Sequence, residues 1–175
     1  MKHSANLFSL LVAYLFMAQV TYAQGSVDNP IIVNTYHPDF NISVSRCVAR
    51  GNTVILDLVF MNEGSSDVTV QGFYPMGTNV VDSNGNIYES KCASKESLYI
   101  KLANMKNWTS CTFGIYNFDL IPGVPTKASI KLEGVPGYVN RLARVKLALR
   151  CDDWGLETYD AANKAEIRNI PIYRK

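Results

Sequence analysis

The chain predicts an all-β fold, an antiparallel β-sandwich. Apolar and polar residues alternate with a period of two in segment after segment, as a sheet with one face in a core requires. Gly, Asn and Pro fall between those segments at short intervals, which divides the chain into eight or nine strands. Helix is nearly absent from the pattern: residues 161–165 alone look faintly helical, and helix elsewhere would have to override many β-branched residues.

Residues 24–40 contain Pro30 and Pro38 and read as a leader, with a short strand around Ile31 to Val33. The domain starts near Asn41. Ile42, Val44 and Val48 predict a first strand over residues 41–48, and Gly51 with Asn52 supplies a hairpin turn. Residues 53–61 form the strongest strand, with Val54, Leu56, Leu58 and Phe60 on one face. Residues 62–67 are a polar turn, and Val68, Thr69 and Val70 begin a third strand. Residues 79–82 and 86–88 flank Ser83, Asn84 and Gly85, where the Asn-Gly pair favours a type I′ or related hairpin turn. Residues 91–110 are less regular, and strand character resumes over 111–116. Pro122 and Pro125 break the chain before residues 127–133, which place Ala128, Ile130 and Leu132 inward. Residues 141–151 repeat the alternation through Ala143, Val145, Leu147 and Leu149. Residues 167–172 close the domain, and Pro171 predicts that this last strand lies on an edge.

The N-terminus reads as an address. Lys2 and His3 precede an apolar run over residues 7–18, and Thr21, Tyr22 and Ala23 lead to Gln24: a secretory signal peptide cleaved before Gln24. The run is about half the length that crosses a bilayer, and no later apolar segment reaches that length, so no membrane span is expected. The chain divides into a signal peptide (1–23), a leader (24–40) and one β-sandwich domain (41–175). The expected location is periplasmic or extracellular.

Lys and Arg number 17 against 15 Asp and Glu, and losing Lys2 leaves 16 against 15, a balance that draws no nucleic acid. Arg141, Arg144, Lys146 and Arg150 match the solvated face of a strand. Four cysteines in an exported chain, Cys47, Cys92, Cys111 and Cys151, imply two disulfides. Three connectivities stay open; Cys92 with Cys111 would close a short excursion, leaving Cys47 to tie the first strand to Cys151. Zinc is not expected, because Cys-x-x-Cys is missing and His37 is the one histidine after the signal.

Several pieces stand in a fixed order along the chain: Asn62-Glu63-Gly64, Asp82 through Tyr88, Ile121 through Lys127, Glu133-Gly134-Val135-Pro136 and Asn169-Ile170-Pro171-Ile172. This set resembles a family of exported immunoglobulin-like domains abundant in Bacteroides-type bacteria. The likeness covers residues 41–173, apart from an elaboration between Cys92 and Cys111. It implies an immunoglobulin-like antiparallel β-sandwich of seven to nine strands and implies no activity, because turns and pleats account for the recurring residues.

Chemistry is sparse. A serine triad needs a histidine beside the nucleophile, and His37 sits in the leader. Asp152, Asp153 and Glu157 are the one close acidic group, and a loop accounts for them. Asp82, Asn84, Asn86 and Glu89 loosely resemble a calcium loop, but Gly85 comes too early and a hairpin explains each residue. No catalytic residue, metal or cofactor is expected. The open possibility is aromatic recognition: Trp108 shares an irregular segment with Tyr99, Asn104 and Asn107, a mixture that stacks on sugars or anchors a protein. The bland alternative has Trp108 plugging one end of the sandwich with Tyr99 beneath it. Trp154, beside Cys151, reads as the cover of a disulfide. Asn41 and Asn107 each head an N-glycosylation acceptor pattern. The expected function is a non-catalytic binding or interaction module at the cell envelope, for a protein or glycan. The alternative is a structural subunit of a surface assembly, using the 167–172 edge to accept a neighbour's strand.

Overall fold

A strand with every second residue apolar is stable only when that face meets another, and here two sheets meet. The computed structural model describes residues 29–35, 39–90, 97–110, 117–151 and 164–175. Its strands are β1 (Ile32–Asn34), β2 (Phe40–Arg50), β3 (Thr53–Asn62), β4 (Val68–Asp82), β5 (Ile87–Glu89), β6 (Leu98–Leu102), β7 (Asn117–Leu120), β8 (Thr126–Glu133), β9 (Arg141–Cys151), β10 (Lys164–Pro171) and β11 (Tyr173–Arg174). One sheet runs β1-β10-β9-β4-β5, with β7 also against β4, and the other runs β11-β2-β3-β8-β6. The pairings are antiparallel except β11, which runs parallel to β2. With β2, β3, β4, β6, β8, β9 and β10 as strands A to G, the sheets are A-B-E-D and G-F-C, the immunoglobulin-like arrangement, and β5 extends the second as a C′ strand does.

The core follows the alternation. Val54, Leu56, Leu58 and Phe60 lie beside Ile130 and Leu132 on the inner side of their own sheet and share one core with Val145 and Leu147 of the other, all fully buried. Two bulges shift the pattern. Between Val44 and Arg46 the β2 register slips, so Cys47 and Ala49 turn inward and Val48, expected in the core, faces out. In β9 a slip against β4 puts Leu142 in the core and leaves Ala143 half-buried.

Other expectations change with the pairing. Residues 68–82 form one strand instead of two. The irregular segment contains β6, whose Leu98, Ile100 and Leu102 are core residues. Lys164 and Ala165, in the stretch that looked helical, open β10. The last long strand is not an edge: β10 lies between β9 and β1, because the leader supplies Ile32, Val33 and Asn34 as partners for Arg168, Ile167 and Glu166. Pro171 sits past the end of that short pairing, where its missing N–H costs no ladder bond to β1.

Two residues of the Asn62-Glu63-Gly64 piece have clear physical causes. Buried Asn62 ends β3, donates its amide to the Ser66 and Leu120 carbonyls and accepts from the Gly64 N–H, which ties β3, the following turn and β7 together. Gly64 is required there, since a Cβ would come within 2.9 Å of the Asp39 Cβ.

Cys47 is a free, fully buried thiol. The expected tie to Cys151 does not form because the two lie toward opposite ends of the sandwich. Tyr173 pairs with Val48 and Pro171 with Arg141, which levels Cys47 with the start of β9. Cys151 ends that strand, roughly 30 Å further along, whereas a disulfide needs Cα atoms within about 7 Å. The signal peptide, His37, Cys92, Cys111, Asp152, Asp153, Trp154 and Glu157 lie outside the described residues. No helix among the described residues is long and apolar enough to cross a membrane.

Candidate functional site

The outward side chains of β8 are Lys127, Ser129, Lys131 and Glu133, and those of β6 are Tyr99 and Lys101. Register sets Tyr99 directly opposite Lys131. After β6 the chain turns back, and Ile100 and Thr109 exchange backbone hydrogen bonds of 2.7 and 2.9 Å. That return closes the edge of β6 and carries Trp108 to the same face. The Lys131 ammonium then lies 4.0 Å from the Tyr99 ring centroid and 5.7 Å from that of Trp108, and its Nζ is 2.7 Å from Glu133 Oε1. The cation faces electron-rich rings on one side and a carboxylate on the other.

Of the four residues picked from the sequence, the structure brings Tyr99 and Trp108 together, on the outer face instead of at a sandwich end. Asn104 and Asn107 are exposed in the returning turn beside them. Lys131 was missed. Its outward position was legible from the alternation of residues 127–133, but only the β6–β8 register shows which side chains it meets.

The same register extends the site across the sheet. Tyr173, Val48, Ile55, Lys131 and Tyr99 are successive cross-strand partners on β11, β2, β3, β8 and β6. The Val44/Arg46 bulge is what brings Val48 into this row. Beside it a trough of about 360 Å³ is lined by Arg46, Val48, Arg50, Thr53, Ile55 and Lys175. A ridge bounds the trough: Arg46 Nε donates to Asp57 Oδ2 at 2.6 Å, and Ser129 Oγ donates to Asp57 Oδ1 at 2.7 Å. Beyond it a second, wider hollow of about 740 Å³ includes Ser43, Met61, Ala103, Pro125 and Lys127.

The Asp82 turn is a structural device. Gly85 N–H donates to the Asp82 carbonyl, Asp82 N–H to the Asn86 carbonyl, and Gly85 alone in the turn has positive φ, at 85°. That is a type I turn with a glycine bulge, one of the hairpin turns related to type I′ that the Asn-Gly pair favours. Asp82 Oδ1 accepts from the backbone N–H of Asn84 and Asn86, and Oδ2 from Asn86 Nδ2 and the Tyr88 hydroxyl. Burial alone would raise the Asp82 carboxyl, but these hydrogen bonds outweigh it and hold its pKa below the usual carboxylate value. The Tyr88 phenol is raised, first by burial and then by its bond to Asp82. Burial, reinforced by the charge of Asp57, pushes the Cys47 thiol up to about 12.

Compared with known protein families and with curated proteins, the sequence matches none. Among solved structures it is similar to the ASH/PapD-like domain 7 of human CEP192, at 12% identity and a TM-score of 0.38, over 81% of this chain and 89% of that one. The strand order described above, and not this likeness, carries the immunoglobulin-like assignment.

Proposed function

We propose that the protein is an exported, non-catalytic binding module of the Bacteroides-type immunoglobulin-like domains, and that its contact surface is the outer face of the β11-β2-β3-β8-β6 sheet. One observation carries the reading: register lines up Tyr173, Val48, Ile55 and Tyr99 across that face, with Trp108 laid at its end over Lys131. An outer sheet face with no partner is ordinarily polar. Aromatic rings at both ends of a continuous row, with Val48, Ile55 and the stem of Lys131 between them, supply the contact area that recognition uses.

The export reading rests on the signal-like N-terminus and keeps a Cys92–Cys111 bridge as part of the proposal. Ser90 Oγ donates to the Ser110 carbonyl, so the chain positions flanking the two cysteines are already held together.

The test is capture of envelope material by the purified protein and by Trp108→Ala. Material retained by the native chain and lost in the variant is the expected result. Equal capture by both would refute the assigned surface.

A further inference from the structure

We infer, building on the binding face just described, that its ligand is an extended anionic glycan lying across the strands from Tyr173 to Trp108. The row crosses five strands, so about 19 Å separates β11 from β6 at roughly 4.8 Å per step, the length of a short oligosaccharide and not of a single sugar. Its flanks are cationic. Arg46, Arg50, Lys101, Lys127, Lys131 and Lys175 stand on this face against Asp57 and Glu133, with Glu63 at the margin bonded to Asn41. Asp57 is paired with Arg46 and Glu133 with Lys131, so these charges offset one another and Arg50, Lys101, Lys127 and Lys175 carry the excess positive charge of the face. Arg50 and Lys175 are exposed on the trough, and among the described residues no ion pair engages either of them.

The shape favours a sugar chain over an acidic peptide. A peptide bound by strand addition lies along an edge, parallel to the strands, whereas this row runs across them, and Thr109 already pairs with Ile100 on the β6 edge. A protein hot spot centres on a deep, desolvated pocket, whereas this trough is shallow, lined by the β-branched side chains of Val48, Thr53 and Ile55 and by the cations Arg46, Arg50 and Lys175. A sugar chain stacked on the rings at the two ends of the row, with carboxylate or sulfate groups reaching Arg50 and Lys175 at the trough, fits both features.

The test is titration calorimetry of the full chain, freed of its N-terminal signal, with four probes: oligogalacturonate, sulfated dextran oligomers, neutral dextran of the same length and polyglutamate of matched charge. Binding to an anionic glycan, weakened at least tenfold by Arg50→Ala and by Tyr173→Ala and unchanged by Arg144→Ala on the other sheet, is the expected result. All three positions are exposed, and a melting curve of each variant confirms folding. Comparing the first two probes shows whether carboxylate or sulfate is preferred. The inference falls if polyglutamate binds as tightly as the glycans, if neutral dextran does, if the Arg50 and Tyr173 variants bind normally, or if no glycan binds. Loss of envelope capture in Trp108→Ala together with absent glycan binding would leave the binding face standing and remove this ligand.

Discussion

The ammonium of Lys131 lies 4.0 Å from the centre of the Tyr99 ring, its direct cross-strand neighbour, and Trp108 completes the enclosure from a loop that folds back onto the sheet edge. A cation held this way is worth about 0.5–1 kcal/mol at a partly exposed site. Lys131→Met keeps the stem, removes the charge and leaves Glu133 without its partner. The expected outcome is a loss of about 1 kcal/mol in urea unfolding, with little change in the slope. A loss above about 3 kcal/mol would mean that the cluster is part of the core and not a surface device.

Asp82 accepts four hydrogen bonds beneath the β4–β5 hairpin. Asp82→Ala leaves the Tyr88 hydroxyl and two backbone N–H groups without acceptors, and should cost about 2–4 kcal/mol. The sign of the pH effect follows from the lowered pKa. The Asp82 contribution is fully present above the unfolded-state value of about 4 and is lost as pH falls through the lower folded value. The native protein should therefore lose more stability on acidification through that window than Asp82→Asn does, as thermal melts across pH 2–6 would show. Parallel acid curves would contradict the assignment.

Cys47 should be silent toward thiol reagents at pH 8 in the folded protein and react fully in denaturant, because its thiol is buried and its pKa is raised to about 12. With the folded pKa above the unfolded one, the neutral thiol's contribution is complete below about 8.5 and declines as pH rises toward 12. Cys47→Ser should cost about 1–3 kcal/mol by burying a hydroxyl. Fast labelling of the native protein, or mapping of Cys47 into a disulfide, would overturn this account.

The export reading makes a paired prediction. Protein recovered from its native host should begin at Gln24 and yield, without reduction, a linked peptide pair containing Cys92 and Cys111. An intact Met1, or free thiols at both cysteines, would remove that part of the proposal.

How much of this was legible in the sequence depends on whether it needed register. The period-two patterns of residues 53–61 and 127–133 placed Val54, Leu56, Leu58, Phe60, Ala128, Ile130 and Leu132 in the core, where all are found. Val48 was misplaced because a bulge adds one residue to β2 and inverts every side chain after it, and no composition signal marks Ser45 as that residue. The edge prediction from Pro171 failed for a similar reason: whether β10 has one neighbour or two depends on where the leader docks. Tyr99 and Trp108 were found as candidates from their chemistry. Their partner Lys131, and the row from Tyr173 through Val48 and Ile55, exist only once four strand pairings are known.

The most direct measurement of the central claim compares the two outer faces in the native envelope. A photo-reactive side chain placed at Lys101, beside the Tyr99 row, and separately at Arg144, on the outer side of β9, reports what each face touches. Adducts formed at position 101 and missing at position 144 are the predicted result. Adducts confined to position 144 would show that the opposite sheet is the contact surface and would contradict the account.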